Sequence, residues 1–140
     1  MKINHKTTGF TTNDLAKTKK FYSEVLGCTV TEEYPQQLTI TTPDGFETGA
    51  LYKGNAYKPA PFTILNFEVD DITSAVKELK NQGVEFLQYA DPIKTDENDI
   101  CWGDGICPIN AWFKDSAGNI LAILQIPQSH KKMLSSLGND

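Results

Sequence analysis

The feature that most constrains this chain is one pattern written twice. Each copy opens with a β-forming run, passes into an amphipathic helix and closes with three further β-forming runs. In the first, a strand-like run over residues 3–12 precedes "NDLAKTKKFYSEVLG", where Leu15, Thr18, Tyr22, Val25 and Leu26 fall on one helical face. Asn13 or Asp14 can cap that helix and Gly27 can supply its left-handed stop. In the second, "FTILNFEV" leads into "DDITSAVKELKNQG", whose stripe is Ile72, Ala75, Val76 and Leu79 and whose stop is Gly83. Asp14 aligns with Asp71, and Gly27 with Gly83, at nearly equal offsets, so one supersecondary unit is used twice.

After the first helix come "CTVTEEY", "QLTITT" and "FETGALYK", with "PDG" at 43–45 as a turn. After the second come "VEFLQYA", "INAWFK" and "NILAILQI", with "SAGN" as the last turn. The reading is α+β: module 1 over about 1–54, a linker "NAYKPAP" at 55–61, and module 2 over about 62–127. Together they make one domain, 1–127, followed by a tail at 128–140 in which His130 is expected to be solvated. The second module carries an insertion around 91–108.

A chain of 140 residues suits one domain and buries roughly two-thirds of its unfolded surface, so it needs no disulfide framework. The net charge of −5 argues against nucleic acid, which needs a basic stripe. Lys17, Lys19 and Lys20 read as a solvated helix face. No apolar run approaches the ~20 residues that span a bilayer, and "MKINHKTTGF" has no apolar signal core. Cys28, Cys101 and Cys107 make neither an even set nor C-x-x-C, which fits reduced thiols in a cytoplasm. Cys101 and Cys107 could pair under oxidation, or simply occupy one loop.

Taken in order, "NDLAKTKKFYSEVLG", "FEVDDITSAVKELKNQGVEF" and "AWFKDSAGNILAILQ" resemble the vicinal oxygen chelate superfamily of glyoxalase I, bleomycin-resistance proteins and extradiol dioxygenases. The resemblance covers residues 1 to about 127. It implies two βαβββ modules forming an open, cleft-bearing β-barrel, and a homodimer. Metal enzymes of that family often place a histidine seven residues before the helix-start aspartate and a glutamate three after the final G-N. Those positions here hold Thr7, Ile64 and Ala122, while Glu47 or Thr48 stands near the start of the first module's last strand. Divalent metals at such sites need imidazole nitrogen or carboxylate oxygen at about 2.0–2.2 Å. The resemblance therefore carries no expectation of a cofactor. A rebuilt set of His5, Glu47 and Glu68 is the alternative.

Strand alternation sets Leu65, Phe67, Val69, Leu121 and Ile123 under the helices. The other face presents Thr7, Gly9, Phe62, Ile64, Asn66, Glu68, Asn110, Trp112, Ala122 and Leu124. An apolar face with a few polar groups suits a small-molecule site, and equally suits plain barrel filling. The insertion runs from acidic to glycine-rich around Trp102, whose ring either covers a flat ligand or anchors its own loop. No nucleophile elbow, phosphate loop, dinucleotide fingerprint or H-E-x-x-H helix is present in the sequence. Three functions stay open: a metal-free binder of a small, partly aromatic molecule, a lyase, isomerase or dioxygenase with rebuilt ligands, and a non-catalytic scaffold.

Overall fold

The computed structural model describes residues 1–103, 108–128 and 135–137. Cys107 and His130 lie outside the described residues. The chain divides into two compact units, residues 1–64 with 115–119 and residues 65–114 with 120–140. The architecture is mixed α+β, with one open four-stranded and one open three-stranded sheet. Among the described residues no helix is long and apolar enough to cross a membrane.

In the first unit, strand β1 (Phe10–Thr12) leads to helix α1 (Leu15–Lys20). Asp14 caps α1 by accepting the Lys17 N–H at 3.0 Å. The helix widens into a π-helical turn over Phe21–Val25, Gly27 stands at φ +70°, and the Cys28 N–H reaches back to the Tyr22 carbonyl at 2.9 Å. Strands β2 (Thr29–Tyr34), β3 (Gln37–Thr41) and β4 (Glu47–Tyr52) follow, giving the sheet order β1-β4-β3-β2 with β1 parallel to β4. Leu38, Ile40 and Ala50 on the sheet are sealed from solvent, as is Tyr22. A fully buried leucine or isoleucine side chain contributes about 1.5–3 kcal/mol relative to exposure.

The expected first strand over 3–12 shortens to Phe10–Thr12. Upstream, "NHKTTG" has few β-formers, and side chains replace the backbone ladder: the Thr8 hydroxyl donates to that of Thr48 at 2.9 Å.

The second unit takes in most of β5 (Thr63–Glu68), helix α2 (Ile72–Asn81), β6 (Ile109–Lys114) and β7 (Ile120–Gln125), with sheet order β5-β7-β6. Asp71 caps α2, accepting the Ser74 N–H at 3.3 Å and its hydroxyl at 2.7 Å. Those hydrogen bonds hold the Asp71 carboxyl below its ordinary range. Ile72 and Val76 of the helix, and Ala111, Phe113, Leu121 and Ile123 of the sheet, form a closed core.

The strand expected over 84–90 is a correction. It reduces to one antiparallel bridge, Phe86 to Phe113, and one bond from the Leu87 N–H to the Trp112 carbonyl at 2.8 Å. The reason lies in Tyr89, whose N–H is taken by the Thr95 hydroxyl and whose carbonyl is taken by the Thr95 N–H. The chain turns into the insertion instead of continuing a ladder.

Candidate functional site

Two sheet faces and one loop gather the candidate residues. In the first unit, Leu38, Ile40, Thr48 and Ala50 point into the core. The opposite parity puts Thr39 across from Gly49, Thr41 across from Glu47, and Thr11 and Gln37 beside Leu51. A hollow of about 470 Å³ lies on this face, walled by Thr7, Thr8, Thr11, Gln37, Gly49 and Leu51. Its floor at Gly49 is tight, because a Cβ there would stand 3.0 Å from the Leu38 carbonyl oxygen and would push that backbone by a few tenths of an ångström. Two residues earlier on β4, Glu47 Oε1 lies 3.4 Å from His5 Nε2, both at the surface. Of the sequence candidates, the structure therefore brings His5 to Glu47 and sets Thr7 in the hollow.

In the second unit, Asn110 stands across from Leu124 and Trp112 across from Ala122, so all four share a face. Asn110, Trp112 and Leu124 are half-buried, whereas Ala122 is fully buried. Cross-strand neighbours stand about 4.5–5.5 Å apart at Cβ, so a side chain longer than alanine at 122 meets that of Trp112. The Tyr89 ring meets the Trp112 ring edge-on at 5.0 Å. Asn66 and Glu68 on β5 are exposed; in the first unit, Ile64 is half-buried and Phe62, two residues before it, is 65% exposed.

Two residues outside the candidate set organise the polar structure. Asp115, buried in the first unit, accepts the N–H groups of Ala117 and Asn119 on Oδ1, both at 2.9 Å. Its Oδ2 accepts the Tyr22 hydroxyl at 2.8 Å and the Asn119 amide at 3.2 Å. Asn119 in turn donates to the Thr11 carbonyl at 2.9 Å and accepts the Ala60 N–H at 3.3 Å. Burial, then Asp115, pushes the Tyr22 phenol far above its ordinary value. The "KDSAGN" signature is thus a buried knot rather than a reactive group.

In the insertion, Asp96 repeats that arrangement. Oδ1 accepts the N–H groups of Asn98 at 2.8 Å and Ile100 at 3.0 Å, and Oδ2 accepts the Trp102 ring N–H at 2.7 Å. Burial would raise the Asp96 carboxyl, but the Ile100 N–H, the Trp102 ring N–H and the other donors outweigh it and hold it below the ordinary range. Cys101 exchanges both backbone hydrogen bonds with Asn110, at 2.7 and 3.0 Å, tying the loop to β6. Trp102 borders a hollow built by loop residues alone. Asp96 was missed because no periodic pattern marks a carboxylate that turns back on its own loop. The available signal was an aspartate whose second and fourth successors offer N–H groups, as in "DSAGN".

The donor chemistry at the family's metal positions does not fit a divalent ion of the usual kind: Ile64 and Ala122 offer only carbon, and Thr7 a neutral hydroxyl. Among the described residues no three His, Cys, Asp or Glu side chains gather as a metal group. His5 with Glu47 makes two, and Glu68 belongs to the other unit.

Comparison with known proteins agrees with this architecture. A crystal structure of TnmS3, an antibiotic binding protein from Streptomyces sp. CB03234, is 21% identical with a TM-score of 0.61, over 90% of this chain and 98% of that one. The oxidase ChaP-H2 is also 21% identical, with a TM-score of 0.60 over 91% of this chain and 96% of its own. A glyoxalase/bleomycin resistance protein/dioxygenase from Alicyclobacillus acidocaldarius is 15% identical with a TM-score of 0.60, over 89% and 92%. At these identities the likeness shows the fold. Among curated proteins none matches the sequence. The family model of the glyoxalase/bleomycin resistance protein/dioxygenase superfamily matches residues 2–123, and the chain belongs to that superfamily.

Proposed function

We propose that the protein binds a small, partly aromatic molecule on its half-buried sheet faces without using a divalent metal. The observation that carries this reading is the hollow of about 470 Å³ in the first unit, walled by hydroxyls, a bare glycine floor and Leu51. Small-molecule sites span roughly 300–1,000 Å³ and combine apolar surface with a few placed polar groups. The Trp112–Tyr89 pair and Asn110 offer a similar mixture in the second unit. The antibiotic-binding relative supports a binding role, and the carbon-only side chains of Ile64 and Ala122 support a metal-free one. Thermal-shift screening of planar aromatic compounds, with and without EDTA, tests it. Stabilisation by a compound that survives chelation is expected, following mass action. Stabilisation abolished by EDTA and restored by a metal would overturn it.

A second reading, a metal-dependent lyase, isomerase or dioxygenase with rebuilt ligands, has one observation in its favour, the 3.4 Å approach of His5 to Glu47. Elemental analysis of protein purified without chelator decides it: stoichiometric metal supports it, and less than about a tenth of an equivalent after reconstitution ends it. The same family reading proposes a homodimer, which light scattering checks, and the cysteine usage proposes a reducing cytoplasm, which fractionation checks.

A further inference from the structure

We propose that the hollow on the first unit's open sheet face takes the sugar ring of an aryl glycoside. The inference rests on the sheet-face reading above and names its ligand class. None of the residues walling the hollow is charged, so an ionic group placed there meets no opposite charge on the walls to replace its water. Phe10 pairs with Ala50 on the core-facing parity, and its ring packs toward that of Tyr22 with centroids 5.4 Å apart. Leu51 is thereby left as the main apolar side chain of the hollow. A flat aromatic ring has little to stack on here, and the hollow suits the polar part of a partly aromatic ligand.

The polar groups of the walls share one property. The Thr7 and Thr11 hydroxyls and the Gln37 amide can each both donate and accept. Among the described residues none of these three groups is hydrogen-bonded within the protein. The Thr8 hydroxyl donates to that of Thr48 and keeps its accepting lone pairs. A sugar has the matching chemistry, because every hydroxyl is donor and acceptor at once and the ring faces carry C–H groups for Leu51. The register places Leu51 between Thr11 on β1 and Gln37 on β3, so hydroxyl, apolar side chain and amide follow one another across three strands. Two strand spacings set the backbones of Thr11 and Gln37 roughly 10 Å apart, a span that a six-membered ring and its hydroxyls bridge once both side chains reach inward. Gln37 does reach inward: its Nε2 lies 3.9 Å from where a Cβ on Gly49 would stand. Glycine at 49 keeps the space under that amide open.

Titration calorimetry and saturation-transfer NMR of the full chain test this with five probes. Three are the neutral p-nitrophenyl glucoside, galactoside and mannoside; the others are the anionic p-nitrophenyl glucuronide and p-nitroanisole, which has no sugar. At least one neutral glycoside is expected to bind about tenfold tighter than p-nitroanisole and the glucuronide, with saturation reaching its sugar protons. Gln37→Leu should weaken that glycoside about fivefold and erase most of its lead over p-nitroanisole; Thr7→Val should act in the same direction by less. Both side chains are exposed, and circular dichroism verifies that the variants stay folded. A preferred glucuronide, or a glycoside whose affinity is unchanged in Gln37→Leu, would overturn the proposal. Binding of p-nitroanisole with no gain from any sugar also overturns it and leaves the sheet-face reading standing. Absence of binding by all five probes to millimolar concentration, with no hit in the thermal screen of planar aromatics, ends both.

Discussion

The turn at Asp115 and the loop at Asp96 are the same device in two environments. In each, one carboxylate oxygen takes the N–H groups two and four residues ahead, and the other takes a hydrogen from an aromatic side chain, the Tyr22 hydroxyl or the Trp102 ring N–H. In each, the aspartate N–H bonds the carbonyl four residues on, at 2.9 and 2.8 Å, and the residue before that acceptor has positive φ: Gly118 at +91° and Asp99 at +67°. Burial separates them. Asp115 is 6% exposed with Tyr22 at 0%, whereas Asp96 is half-buried and Trp102 lies open. Inside the protein the device joins distant segments, and an unmade bond there strands polar groups away from water. At the surface it holds an aromatic ring outward, and water can replace what is lost.

This contrast orders the expected effects. Asp115→Ala should cost more than about 3 kcal/mol in urea unfolding, since the Tyr22 hydroxyl and the N–H groups of Ala117 and Asn119 lose their acceptor together. If it costs no more than Asp96→Ala, burial is not what distinguishes the two turns. Next comes Tyr22→Phe, at about 1–3 kcal/mol, the range for a buried polar group left without its hydrogen-bond partner. It also has a pH signature. The folded phenol holds its proton far above its ordinary value of 10.0, so that contribution is complete below pH 10. Above pH 10 the unfolded chain ionises first and stability falls; Tyr22→Phe should make that fall shallower.

Asp96→Asn should cost about 1 kcal/mol, because its partners can turn to water. Its folded carboxyl lies below the ordinary 3.8, so its stabilisation is present above that value and is lost as pH falls through the lower folded one. Acid unfolding curves of wild type and Asp96→Asn should therefore converge in that window. The smallest effect belongs to Asp99→Gly, within about 0.5 kcal/mol of wild type by thermal unfolding. Glycine relieves the positive φ while the change removes an ion pair with Lys80. A large loss would mean that the Lys80 pair, rather than Asp96, holds the loop.

Periodicity explains what the sequence disclosed. The cap of the first helix, narrowed to Asn13 or Asp14, the alignment of Asp71 with Asp14, the stops at Gly27 and Gly83, and the strand "INAWFK" at Ile109–Lys114 all emerged where local chemistry decides geometry. The turns at 43–45 and 116–119 were legible because each has glycine at its left-handed position, Gly45 and Gly118. At Gly118 the positive φ alone calls for glycine, since a Cβ would stand in ordinary contact 3.6 Å from Pro59. The turn at Asp96 hid because Asp99 occupies that position instead. The strand over 84–90 was misread because alternation in "VEFLQYA" does not reveal that Thr95 claims Tyr89's backbone. Of the site, pleat parity was enough to group Asn110, Trp112, Ala122 and Leu124 on one face. The meeting of Tyr89 with Trp112, and of His5 with Glu47, depends on long-range placement that alternation does not encode.

The Asp115–Asn119 turn also bears on how the chain can be made. Its residues belong to the first unit although the strands they join belong to the second. Tyr22 waits 93 positions for its acceptor, and the Thr11 carbonyl waits 108 for its donor. A ribosome that has finished only the N-terminal half has therefore made a helix and a sheet whose buried polar ends have nothing to bind. Non-local closure of this kind slows folding, because chain entropy is lost before the contacts reward it. Cutting the gene at the linker should yield two fragments that fold poorly alone and recover structure when expressed together.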